Sequence, residues 1–138
     1  MSPRQRTRLT DADYARLLAF RTELRRFLRW TEDNAAQADL TPAQHQLLLA
    51  VRGHPGGSPS IKDVAGYLLD RQHSVSELAD RAERAGLLRR IHDRDDHRVV
   101  RLDLTARGAR KLELLTELHL EEIRRLGPLL AGLATSEG

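Results

Sequence analysis

Cysteine is absent, aromatic residues make up only 4% of 138 positions, and lysine occurs twice, at Lys62 and Lys111. Without thiols the chain has no disulfide framework, thiolate metal site or cysteine redox switch. With so few aromatic rings, a core has to be assembled from Leu, Val, Ile and Ala. Apolar runs are short as well. Stretches such as Leu47 to Val51 fall far below the roughly 20 residues of a bilayer span, so no membrane partner is expected. The basic opening, MSPRQRTR, is not followed by an apolar segment, which argues against a secretory leader and for the cytoplasm. That opening reads as a disordered tail, with an arm that follows DNA as the alternative.

What is present is charge and helical periodicity. Charged residues make up 31% and hydrophobic residues 40%, a balance that suits one globular domain over residues 1–138. Net charge is only +3, but every basic residue other than those two lysines is arginine. A guanidinium keeps its charge and presents a planar fork of donors that suits phosphates and guanine edges. Genomic base composition also enriches arginine, so placement has to decide its meaning.

Tyr14, Leu17, Leu18, Leu24, Phe27 and Leu28 recur near helical spacing from Asp11 to about Thr31, with Thr10 as cap. Thr41, Pro42 and Gln44 open a second helix through a capping box, and it ends near Gly53. Ile61 to Leu69 is a short third helix. A fourth buries Val75, Leu78, Ala79 and Ala82 and ends at Gly86; either Asp70 or the Ser74-x-x-Glu77 box caps it. The period then changes. Leu88 to His92 and the alternating Val100, Leu102 and Leu104 flank a charged turn and form a hairpin. Thr105 caps a long helix, and Pro128 starts a final short one.

Two short helices around a tight break, followed by a hairpin, predict a mainly α fold with a small β wing: a winged helix-turn-helix. A helix fits the major groove, its predecessor braces it, and a wing tip reaches the neighbouring minor groove. The face opposite the apolar stripe of the fourth helix carries His73, Ser74, Ser76, Glu77, Asp80, Arg81 and Arg84. Arg89 and Arg90 lie on the incoming strand, and Arg94 and Arg98 lie on the tip.

At these residues the chain resembles the MarR family of transcriptional regulators. The resemblance runs through PSIKDVAGYLLDRQHSVSELADRAERAGLLRRIHDRDDHRVVRLDLTARG. VSELADRAERAGLL is similar to the family's recognition helix, DRDDHRVVRLDLT to its Asp-x-x-Asp-x-Arg wing, and LTPAQHQLLLAV to its second helix. The resemblance implies a winged lobe over 41–104 and a dimerisation region over 10–36 and 105–138. It implies a homodimer on a pseudo-palindromic double-stranded-DNA operator, more a repressor than an activator, responsive to a small-molecule effector, with no cofactor and no catalysis. His73, Ser74, Ser76, Glu77, Arg81, Arg90, Arg94 and Arg98 are the DNA-binding candidates. Ser74 and Ser76 would act from the helix and Arg94 in the minor groove; Asp96 would orient Arg98, and Asp80 would brace an arginine. Two stretches depart from the family pattern. Leu69–His73 implies a different turn. Glu77 stands where a small, polar or basic residue is usual, and its carboxylate repels phosphate unless it accepts from a cytosine amino group.

Blander readings compete with these. The wing arginines could be spent on their own aspartates, and Ser74 on capping. Phe27, Trp30 and His45 are either effector-pocket residues, with Arg26 or Arg52 offsetting an anionic ligand, or ordinary core. His92, Asp93, Asp95, Asp96 and His97 would suit a metal-dependent hydrolase, but adjacent strand residues point to opposite faces and no second His/Asp motif appears. A winged-helix module that binds ligand or protein and no longer uses DNA is the other alternative, kept open by Glu77, Asp80 and the wing aspartates.

Overall fold

The computed structural model describes residues 8–135. Residues 1–7, nearly all of the expected tail, and residues 136–138 of the C-terminal segment lie outside the described residues. The element order is α1 (Asp11–Gln37), α2 (Pro42–Gly53), α3 (Ile61–Leu68), α4 (Gln72–Arg84), β1 (Leu88–His92), β2 (Val100–Leu104) and α5 (Ala106–Ala134).

Capping chemistry sets most boundaries. Thr10, Thr41 and Ser60 each accept from the backbone N–H three residues on, and Asp13, Gln44 and Asp63 return the bond. Burial of Leu47, Leu48, Val64, Val75, Ala79, Ala82, Leu88, Leu102 and Leu115 joins α2 to α5 and both strands in one aliphatic core. The antiparallel hairpin pairs Leu88 with Leu104 and Arg90 with Leu102. A further bridge links Ser60 to Arg101, and the Leu102 N–H donates to Pro59 O at 2.9 Å. The wing is therefore tied to the loop that precedes α3. The two long helices, α1 and α5, pack on each other.

Two glycines shape the junction after α4. Gly86, at φ 75°, lets α4 stop in a left-handed turn while Leu87 N–H donates back to Ala82 O. At Gly108 an added Cβ would lie 2.0 Å from Leu87 O. That close approach brings the first turn of α5 against the end of α4, where the Thr105 hydroxyl donates to Gly86 O at 2.6 Å.

Three elements differ from expectation. Helix α1 runs to Gln37 rather than Thr31, because Asn34 and Ala35 turn inward among otherwise exposed polar residues. The N-cap of α4 is Arg71, without a side-chain cap; neither Asp70 nor Ser74 serves. Asp70 instead accepts from Arg71 N–H, Leu69 takes the left-handed φ of 53°, and Ser74 lies inside the helix. Finally, α5 continues through Pro128. The ring sits on the exposed side near the helix end, where the Arg124 carbonyl that loses its partner belongs to another exposed residue.

Candidate nucleic-acid interface

Helix α4 has three longitudinal faces at 3.6 residues per turn. Val75, Ala79 and Ala82 face the core. Positions 76, 80 and 83 face the wing, and the outermost stripe holds His73, Glu77, Arg81 and Arg84, all exposed.

The wing-facing stripe is occupied by one residue of β1. The Arg90 guanidinium donates to Ser76 O at 2.9 Å and Ser76 Oγ at 3.1 Å, and pairs with Asp80 Oδ1 at 2.8 Å. The Arg90 backbone N–H donates to Glu83 Oε2 at 3.1 Å. Period 2 explains the direction, since Arg90 shares the inward face of β1 with buried Leu88 and opposite buried Leu102. Arg90 thus welds strand to helix, with its side chain only 28% exposed. Asp80 braces this arginine.

The tip is organised by Asp93. Its carboxylate accepts the N–H groups of Asp95 and Asp96, at 3.2 and 3.1 Å, and Arg101 Nε at 2.7 Å. The hydrogen bond from Arg101, followed by that from Asp96 N–H, holds the Asp93 carboxyl below the usual range. Arg101 also donates to Ser58 O at 3.1 Å, which anchors the tip to the body. The sequence reading missed Arg101; its position opposite Ile91, on a strand otherwise alternating apolar and charged, was the available signal. Asp96 accepts both the N–H and Nε of Arg98 at 3.0 and 3.1 Å, leaving that side chain 92% exposed. Among the described residues no ion pair engages Arg94, which is exposed. His73 Nε2 lies 3.2 Å from Glu77 Oε1 across one turn of α4.

Where α1, α2 and α5 meet, Phe27, Trp30 and His45 gather around His119, a buried residue missed in the sequence because it reads as part of a charged helix face. The His45 and His119 rings stand edge to face at 5.0 Å, and Trp30 lies 5.3 Å from His119. Burial depresses both imidazoles, His45 further through His119, and His119 Nε2 has no partner. An open cavity of about 450 Å³ touches Trp30 together with Arg25, Arg26, Arg29 and Asp33. It is not lined by Phe27 or His45. Among the described residues no three His, Asp or Glu side chains converge as a metal site, and Asp93 and Asp96 spend their oxygens on the turn and on Arg98 and Arg101.

Two packed short helices, a braced wing and an exposed helix stripe define the class as a winged helix-turn-helix. A family model described as the MarR family matches residues 38–99. Over 74 residues, 54% of this chain, the sequence is 35% identical to the transcriptional repressor MdtR of Bacillus subtilis strain 168, and the match spans only 46% of that relative. A mutant of S. aureus MepR bound to an oligodeoxyribonucleotide superposes with TM-score 0.66 and 25% identity, over 94% of this chain and 87% of that one. AbsC of Streptomyces coelicolor shares the fold at TM-score 0.68 and 24% identity, over 86% and 80% of the two chains. Residues 38–99 of this chain are thus similar to the MarR family, and the chain shares the fold of these solved structures.

Proposed function

We propose that the protein is a sequence-specific DNA-binding transcriptional regulator that represses as a homodimer on a pseudo-palindromic operator. The observation that carries this reading is the Arg90 clamp, which makes the outer stripe of α4 and the hairpin one rigid surface. His73, Ser74, Glu77 and Arg81 then form the groove-facing set, and Arg94 and Arg98 the wing set. Ser76 and Arg90 support that surface through each other. Family members are generally transcription factors without enzymatic activity, and no catalytic role is assigned to any residue here.

Self-association is supported by apolar side chains left in the open on the long helices. Tyr14, Leu17, Leu18 and Leu28 of α1, and Leu114, Leu118, Ile123 and Leu129 of α5, are all exposed. Covering them with a second copy over 10–36 and 105–138 removes that area from water, at about 25 cal/mol per Å². Two α4 helices would then stand about 34–36 Å apart, one turn of B-DNA. A small-molecule effector would act by favouring a dimer with another spacing. The Phe27, Trp30 and His45 cluster, at the junction of frame and lobe, is where such a change would be felt. The cytoplasm is the compartment this role requires, and among the described residues no helix is long and apolar enough to cross a membrane.

The test is selection from random duplex DNA combined with sedimentation and a salt series. A palindromic motif bound by a dimer, with affinity falling steeply in salt, is expected. A monomer that enriches no duplex would remove the proposal.

A further inference from the structure

The exposed stripe of α4 holds a carboxylate in a place where carboxylates are costly. Three acidic side chains lie on the helix outside its core face, and two are accounted for inside the protein. Asp80 is paired with Arg90, and Glu83 accepts the Arg90 backbone N–H. Among the described residues no hydrogen bond or ion pair joins Glu77 to the wing. Its neighbour is His73, one turn earlier on the same outer line, 3.2 Å from Oε1 and itself strongly exposed. The pair therefore does not hold strand and helix together, and it lies on the exposed stripe that the DNA-binding reading turns toward the duplex.

We propose that Glu77 reads a cytosine in each half-site, and that His73 is its positioning residue. The inference rests on the DNA-binding reading above and names one base within it. The cytosine edge in the major groove presents the N4 amino donor, which a carboxylate accepts. Adenine N6 is also a donor, but N7 of the same base and O4 of the paired thymine flank it with acceptors that repel a carboxylate. Cytosine N4 has an acceptor, guanine O6, on one side only. Guanine and thymine offer acceptors alone. As its Nε2–H tautomer, His73 can hold Oε1 from 3.2 Å away across one turn of the helix, which restrains the carboxylate and leaves Oε2 for the base.

The test is competitive selection at matched salt from duplexes randomised across one half-site, with thermal melts confirming equal folding of all variants. Wild type is expected to enrich cytosine at one position by about tenfold over the next base. Glu77→Gln should move the preference at that position to adenine, because an amide pairs with N6 and N7 together, and leave other positions unchanged. Glu77→Ala should abolish the preference. His73→Ala should weaken it, and His73→Gln, which keeps a donor within reach of Oε1, should restore most of it. A Glu77→Ala protein that binds all duplexes more tightly by one common factor, with its motif intact, overturns the proposal. So does a wild-type motif that Glu77→Gln leaves unaltered. A preference unchanged in His73→Ala overturns the role of His73. A wild type that enriches no duplex defeats the proposed function itself.

Discussion

The winged lobe and the helical frame solve the burial problem in opposite ways. In the lobe, Leu47, Leu48, Val64, Val75 and Leu102 are fully enclosed, and the polar groups of the hairpin are engaged across long sequence separations, Arg101 with Ser58 and Arg90 with Ser76. In the frame, α1 leaves Tyr14, Leu17, Leu18 and Leu28 in water; a buried polar atom without a partner occurs on both sides, at Asn34 Nδ2 and His119 Nε2 in the frame and at Arg90 Nε in the lobe. One half encloses its large apolar side chains within a single chain, and the other leaves many of them exposed. Stability and association should therefore separate on mutation.

The largest expected effect lies at the joint between them. Gly108→Ala drives a methyl into Leu87 O, a backbone atom that cannot swing aside, and should cost about 3 kcal/mol in denaturant melts. Gly127→Ala, on the same helix with open space around it, should stabilise by up to about 1 kcal/mol. Equal effects at the two glycines would dissolve the contrast.

In the frame, Leu17→Glu combined with Leu18→Glu should weaken self-association by at least about tenfold, roughly 1.4 kcal/mol. Sedimentation would show monomer at micromolar concentration, while the melt of the lobe changes little. An unaltered dimer would mean that another surface carries it.

Within the lobe, two arginines sharpen the comparison between bracing and contact. Arg90→Ala removes a half-buried donor to Ser76 and Asp80 and should cost about 1–3 kcal/mol of stability, lowering affinity for all duplexes alike. Arg94→Ala should leave the melt unchanged, lower operator affinity and reduce the magnitude of the log-affinity versus log-salt slope by about 0.9 if Arg94 meets one phosphate-lined groove position. Reversed outcomes would exchange their roles.

The smallest effect is a pH dependence in the frame. His45 and His119 have pKa values lowered in the folded state, so the unfolded chain binds their protons more readily. Stability contributed by these groups is full above the ordinary histidine range near 6.5 and falls as pH drops below it. His119→Phe should flatten that decline in melts taken across pH. An equally steep loss in the variant would place the acid sensitivity elsewhere.

Much of this molecule is legible in its sequence. The Thr41/Gln44 box, the turn-rich run after Gly53, the alternating Val100, Leu102 and Leu104, and the Thr105 cap are local signals, and each marks its element correctly. The misreadings have a common cause. The end of α1 is fixed by Asn34 and Ala35 turning inward, and α4 starts at Gln72 behind an Arg71 N-cap although Ser74 and Glu77 spell a capping box. Pro128 stays within α5 because its surroundings are open. Tertiary surroundings decided each of these.

Composition, period and caps, acting over three or four residues, were enough to order five helices and a hairpin and to place an arginine-bearing tip. They were enough because helical and strand hydrogen bonding and the burial of one face are short-range consequences of side-chain type. Which charges are consumed inside the protein was decided only by packing. Arg90 meets Ser76 fourteen residues back, Asp93 meets Arg101 across the hairpin, and His119 meets Trp30 between the two ends of the fold. Such pairings depend on the relative placement of whole elements, and no local pattern encodes that placement.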